Sequence, residues 1–213
     1  CTAWQIGAVG VLPERRGHGY ADQVLNLALQ TCGDDPVMLF ANPNVRDFYP
    51  RFGFRPCDES LFEAGFTCQP AQLGAPLLDL EQRQTRALIH HFAETGVAAT
   101  RLFGVRGHGR TLSWYLANGF ALSPRKLDEN TLVVCSQDGD CLNIDDILST
   151  QYFDLAAAVP RLIDSPITRI RFGFTPERWW PAAQAIALDD DAHLFVRGFL
   201  PATPHRFPIL ART

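Results

Sequence analysis

Two arginines, two glycines and a histidine crowd one short turn, Arg15-Arg16-Gly17-His18-Gly19-Tyr20-Ala21. Before it, Ile6 to Leu12 has strand character and stops at Pro13, which has no N–H to give a sheet ladder. After it, Asp22 to Gln30 carries Val24, Leu25, Ala28 and Leu29 at helical spacing. Glycines let backbone N–H groups come close to a ligand, and the start of a helix adds unpaired N–H groups and a positive dipole end. Arginine supplies charge and a planar donor geometry that suits phosphate. Such a turn can cradle a pyrophosphate. It is not a Walker A loop, since the Gly-Lys-Ser/Thr end is missing, and the Gly-x-Gly-x-x-Gly run of a Rossmann turn is incomplete. Taken alone, an ordinary strand–helix turn would look much the same.

A second stretch narrows the choice. Val37 to Ala41 is a short apolar run and predicts a buried strand. It leads into "NPNVRDFYPRFGF", residues 42–54. Asn42 can cap a helix whose first position is Pro43, and that helix should run through Phe48 and Tyr49 and stop near Gly53.

The order of these pieces resembles the GNAT superfamily of acyl-CoA-dependent N-acetyltransferases. The residues that carry the likeness are Val9, Val11, Pro13, Arg16, Gly19 and Ala21, then Asn42, Val45, Phe48, Tyr49, Gly53 and Phe54. Two separate motifs in the family's order, over roughly residues 4–66, make the likeness specific. It implies an α/β fold with a mixed central sheet flanked by helices. It also implies acetyl-CoA as acyl donor, with no metal.

Residue by residue, the resemblance implies that Arg16, Gly17, His18, Gly19, Tyr20 and Ala21 hold the pyrophosphate, chiefly through backbone amides. The splayed strand Ala8 to Leu12, with Val9 and Val11, would pair its backbone with the pantetheine arm. Asn42 and Phe48 would line the same cleft. Tyr49 matches the tyrosine that many members use as general acid; the alternative is a core tyrosine on an amphipathic helix. The ring of His18 is expected to face solvent rather than act as a base. No general base is identifiable, and Glu14 is badly placed for one. The family's first strands and helices should precede Trp4, so the chain is expected to lack the N-terminal half of this domain; the rival expectation is that the later residues close the first sheet.

Beyond residue 70 the pattern changes. "PLLDL" predicts a short strand, Glu81 to Thr95 a helix with Leu88, Ile89 and Phe92 on one face, and Leu112 to Ala117 a second helix ending at Asn118-Gly119. Residues 131–148 predict a hairpin about Asp138-Gly139. Leu155 to Ile163 predicts a helix disturbed by Pro160, and "ITRIRFGF" and "AHLFVRG" predict strands. That order repeats the GNAT order from its beginning, but the place of the phosphate loop holds "STQYFD", with neither glycine nor arginine. The expected organisation is therefore residues 1–70 as the C-terminal half of an acetyl-CoA-binding GNAT domain, and residues 71–213 as a degenerate GNAT-like α/β unit.

Three smaller features have two readings each. "RGHG" recurs at Arg106–Gly109, where a second anion site is conceivable and a loop or helix start is the plainer expectation. Trp179 and Trp180 could form a ligand wall, but burial against a sheet is expected. "LDDDAH", at 188–193, is acidic enough for a cation, but three adjacent aspartates cannot all point one way, and a solvated turn is the reading preferred.

Composition bounds the rest. The chain has 213 residues, 46% hydrophobic and 20% charged, with net charge −4 and a pI of about 5.8. A globally basic nucleic-acid surface is not expected, nor a membrane partner, because no run approaches ~18 apolar residues. Six scattered cysteines without a metal-ligand spacing predict free thiols in a cytoplasmic protein; a bridge between Cys135 and Cys141 across the hairpin is the minor alternative. The function expected is N-acetyl transfer to a primary amine on a small molecule or peptide, with a homodimer possible. The competing expectation is a non-catalytic acyl-CoA-binding or assembly module.

Overall fold

A computed structural model describes residues 2–118, 122–188 and 193–213. The chain divides into two units, one made of residues 1–59, 188–201 and 213, the other of 60–187 and 202–212. The first continuous stretch of the first unit ends at Glu59.

The first unit holds strands β1 (Trp4–Ile6), β2 (Val37–Ala41), β3 (Arg55–Cys57) and β10 (His193–Arg197), with helix α1 (Tyr20–Cys32) and a 3-10 helix, Pro43–Phe52. Its sheet has the order β1-β2-β10-β3. β1 runs parallel to β2, while β10 is antiparallel to both neighbours. The strand expected at the end of the second domain thus fills the gap between β2 and β3. Leu25 and Leu29, four residues apart on one face of α1, pack with Val37, Leu39, Phe54 and Phe195. Leu25 is fully buried; a leucine so placed contributes about 2 kcal/mol of transfer free energy.

The expected strand Ile6–Leu12 is mostly not a strand. Pairing runs from Trp4↔Val37 to Ile6↔Leu39 and stops there. Ala8 then adopts φ 55°, and residues 7–12 continue outside the ladder. A non-glycine residue at positive φ turns the chain off the pleat, so its neighbours cannot stay in register.

The second unit is built on a six-stranded sheet of order β5-β6-β7-β8-β4-β9. Its strands are β4 (Ser60–Cys68), β5 (Ser123–Asp128), β6 (Thr131–Asp138), β7 (Cys141–Ser149), β8 (Ile167–Phe172) and β9 (Gln184–Ala187). Helices α2 (Arg83–Thr95), α3 (Gly109–Ala117) and the one-turn α4 (Leu155–Ala158) complete it. The hairpin expected about Asp138-Gly139 is present as β6–β7, closing on the pair Asp138↔Cys141, with Gly139 at φ 57°. β7 and β8 are parallel from Cys141↔Arg169 to Ile144↔Phe172.

The helix expected over 155–163 is α4 followed by a 3-10 turn, Val159–Arg161. Pro160 has no N–H to extend an α-helix, so the chain tightens there. "PLLDL" contributes only the bridge Leu77↔Arg125. Trp179 is buried, donating Nε1–H to the Ala99 carbonyl at 2.8 Å, and Trp180 packs edge-on against Phe66, as expected of core residues. Cys135 opposes Ile144 and not Cys141, and Cys32, Cys57, Cys68, Cys135 and Cys141 are all free thiols. Cys1, Gly119 and the aspartates of the acidic run, Asp189, Asp190 and Asp191, lie outside the described residues.

Candidate active site

The end of β1 and the start of α1 are joined by the turn with which the sequence is most concerned. Pro13–Arg15 forms a short 3-10 turn, and Gly17 and Gly19 follow at φ 78° and 75°. Both values lie in the left-handed region, which costs a side-chain-bearing residue about 1–2 kcal/mol. Gly19 is the N-cap of α1. The first intrahelical bond is donated by Gln23 N–H to the Gly19 carbonyl at 3.1 Å. The N–H groups of Tyr20, Ala21 and Asp22 therefore have no carbonyl four residues back within the helix. They form the positive end of its dipole.

A cleft of about 710 Å³ opens beside this turn. Val9 and Val11 line it from the segment that leaves the ladder, and Arg16, Gly17, Gly19, Tyr20 and Ala21 line it from the turn. Asn42, Phe48 and Tyr49 line it from the far side. Ten of the eleven residues singled out in the sequence thus meet at one cleft. His18 does not line it. Its Nδ1 lies 2.8 Å from the Arg16 carbonyl, and its ring stacks on Tyr20. With the proton assigned to Nδ1, His18 ties down its own turn while staying exposed to solvent, as expected.

Five further residues line the cleft: Gly10, Arg15 and Val45, which lie in stretches the sequence already marked, and Asp22 and Asn44, for which it assigned no role. Asp22 accepts a hydrogen bond from Arg51 Nη2 at 2.6 Å, linking α1 to the 3-10 helix across the sequence. Only proximity in the fold reveals that pair. Arg16 Nε donates to the Val11 carbonyl at 3.2 Å, so the arginine also props the segment that has left the sheet.

The 3-10 helix fixes the far wall. Asn42 caps it, its Oδ1 accepting from Asn44 N–H at 3.1 Å, with Pro43 in the first turn. Gly53 ends it in the left-handed conformation, φ 82°. The segment is 3-10 rather than α because Val45 is non-helical and Pro50 sits inside. Tyr49 is 6% exposed, wedged among Phe48, Phe54 and Phe195. Burial raises its phenol pKa above the ordinary value, which keeps the proton on the oxygen at neutral pH.

The sequence model described as the acetyltransferase (GNAT) domain matches residues 3–74. No curated protein matches the chain. Among solved structures, Eis1 from Mycobacterium abscessus is 15% identical with a TM-score of 0.55, over 92% of this chain and 56% of that one. A conserved protein of unknown function from Enterococcus faecalis V583 is 14% identical with a TM-score of 0.51, over 92% of this chain and 54% of that one. The chain shares the mixed α/β fold of these two structures and spans a little over half the length of each.

Proposed function

We propose that the chain is an acyltransferase that moves an acetyl group from acetyl-CoA to a primary amine. One observation carries this reading. A segment that has left its sheet, a two-glycine turn with arginines, a helix start and a buried tyrosine all face a single cleft. Each part has a task. The backbone of Ala8–Leu12, freed from the ladder, can pair with the amides of a pantetheine arm. The turn offers N–H groups and two arginines to a pyrophosphate. Tyr49, protonated and held by packing, can give its proton to the departing thiolate when the amine attacks the thioester carbonyl. A positioned acid of this kind is worth roughly 10²–10⁴ in rate. The acceptor is an amine of a small molecule or peptide, and five free thiols suit a reducing, cytoplasmic setting.

The second unit supports a degenerate GNAT-like reading. It has an antiparallel β5-β6-β7 meander followed by the parallel pair β7–β8, and a connection without glycine or arginine at 149–154.

One observation favours a binding module instead. Among the described residues Asp22 is the sole carboxylate lining the cleft, and it is held by Arg51. The two readings separate in one experiment. Acetyl-CoA is titrated calorimetrically into the wild type and into Arg16→Ala/Gly19→Asp, and turnover is then measured with an amine panel. Binding lost in the double variant, with turnover in the wild type, supports the enzyme. Binding without turnover on any amine supports the module. A folded wild type that binds no acetyl-CoA refutes both.

A further inference from the structure

The second copy of "RGHG" resolves into two structural facts. His108 precedes α3 as its N-cap, and the N–H of Gly109 is already taken by Glu94 Oε1 at 3.1 Å. The anion at this helix start is the protein's own, so no ligand belongs there. Arg106, from the same motif, is not used by that arrangement.

Arg106 belongs instead with Arg101 and Arg178. Arg101 and Arg178 line a pocket of about 250 Å³ in the second unit, together with Tyr152 and Glu177. The guanidinium of Arg178 lies 5.0 Å from the centre of the Tyr152 ring. Its Nε is buried and has no hydrogen-bond partner. Burial, then Arg101, then Arg106, lower the pKa of Arg178, which places three like charges within electrostatic reach of one another. Among the described residues none of the three arginines makes an ion pair.

Glu177, the one acid in the pocket, is committed elsewhere. One carboxylate oxygen accepts from Thr100 Oγ1 at 2.8 Å, and the other accepts from the backbone N–H of Arg101. Arg101 and Arg178 against Glu177 leave one positive charge in excess within the pocket, and Arg106 adds a second nearby. Like charges held together without counter-charges raise the energy of the folded state, and a multiply charged anion would relieve it. A single carboxylate would neutralise only half the excess. Phosphate oxyanions carry two or more charges and match the fork of guanidinium donors.

We propose that this pocket is an anion site for a phosphate-bearing small molecule, with Arg101 and Arg178 holding the phosphate group, the Tyr152 ring beside it and the charge of Arg106 adding to the field. The site is separate in residues from the cleft of the first unit and does not depend on the function proposed for that cleft. It also supplies, from two loops far apart in the sequence, the cations that residues 149–154 lack.

The test uses inorganic pyrophosphate as probe, titrated calorimetrically at fixed ionic strength, with acetate as the monovalent control. The protein carries Arg16→Ala, which weakens anion binding at the first cleft. A pyrophosphate heat should remain, should not be reproduced by acetate, and should weaken tenfold or more when Arg101→Ala is added. Arg101 is exposed and its side chain makes no ion pair, so this variant keeps the fold, which circular dichroism checks. Arg178→Ala should give an equal or larger loss. The proposal is overturned if the folded Arg16→Ala protein binds no pyrophosphate, if acetate binds equally well, or if neither Arg101→Ala nor Arg178→Ala weakens binding. Loss of acetyl-CoA binding by the wild type, with pyrophosphate binding intact in Arg16→Ala, would refute the first-cleft reading alone.

Discussion

Gly19 and Gly53 form a matched pair that isolates what the phosphate turn does. Their backbones are nearly superposable, at φ 75°, ψ 10° and φ 82°, ψ 11°. Alanine at either position pays the same left-handed strain, about 1 kcal/mol or a little more. Part is returned because alanine restricts the unfolded chain, by about 0.4–1 kcal/mol. Neither substitution adds a clash. A Cβ at Gly19 meets nothing within 4 Å, and one at Gly53 meets only Arg197, at 3.7 Å. Each variant should therefore lose about 1 kcal/mol or less, a fall in Tm of roughly 2–4 °C for a chain of this size.

Their effects on acetyl-CoA should diverge. Gly19 lines the cleft and Gly53 does not. A methyl group at Gly19 stands where an anion must approach the amides of the first helical turn. Losing one hydrogen bond to a charged group costs about 1.5–3 kcal/mol, or roughly 10- to 150-fold in Kd. Gly53→Ala should leave Kd within about twofold. The assay pairs thermal unfolding with calorimetric titration of acetyl-CoA. Equal Kd values for the two variants, at equal losses of Tm, would refute the cradle.

The remaining predictions concern single groups. Tyr49→Phe should lower kcat by roughly 10²–10⁴ while leaving the Kd for acetyl-CoA unchanged; an unchanged kcat would remove Tyr49 from the chemistry. Asp145 is raised to about 6 by burial and then by Asp146, against the opposing pull of Arg206. Its folded pKa lies above its unfolded one, so its contribution to stability is present below about pH 4 and lost as pH rises through 6. Asp145→Asn should thus stabilise the protein at pH 7–8 by roughly 3 kcal/mol in urea unfolding and do little at pH 4; equal effects at both pH values would show that folding does not raise the pKa of this carboxyl. For His108, burial lowers the pKa, but the Asp146 carboxylate, 2.7 Å away, and Glu94 outweigh it, so the net shift is upward. The protonated pair stabilises below the unfolded value and fades as pH rises through the folded one, so His108→Gln should cost more at pH 5.5 than at pH 8.5. A reductant should leave Tm unchanged, since Cys135 and Cys141 are unbridged; a drop would show a bridge between them.

How much of this was legible follows from how local each feature is. The turn at Gly17 and Gly19 shows in the sequence because positive φ selects glycine, and the cap at Asn42 shows because a side-chain oxygen must reach an N–H two residues on. The β6–β7 hairpin shows because a tight turn needs Gly139 at its own position. The end of β1 does not show. Val9 and Val11 alternate like strand residues beyond the point where pairing stops, and periodicity reports an extended chain, not its partner. The place of β10 is hidden for the same reason, since its neighbours β2 and β3 lie well over a hundred residues earlier. Electrostatics follow this rule too. Asp22 and Arg51 are 29 residues apart, and Arg101 and Arg178 are farther still. A turn that binds through its own backbone can be seen in a line of residues. A site assembled from side chains on separate loops exists only once the chain has folded, so the arginine pocket had to come from the structure although Arg106 stood in a motif already noticed.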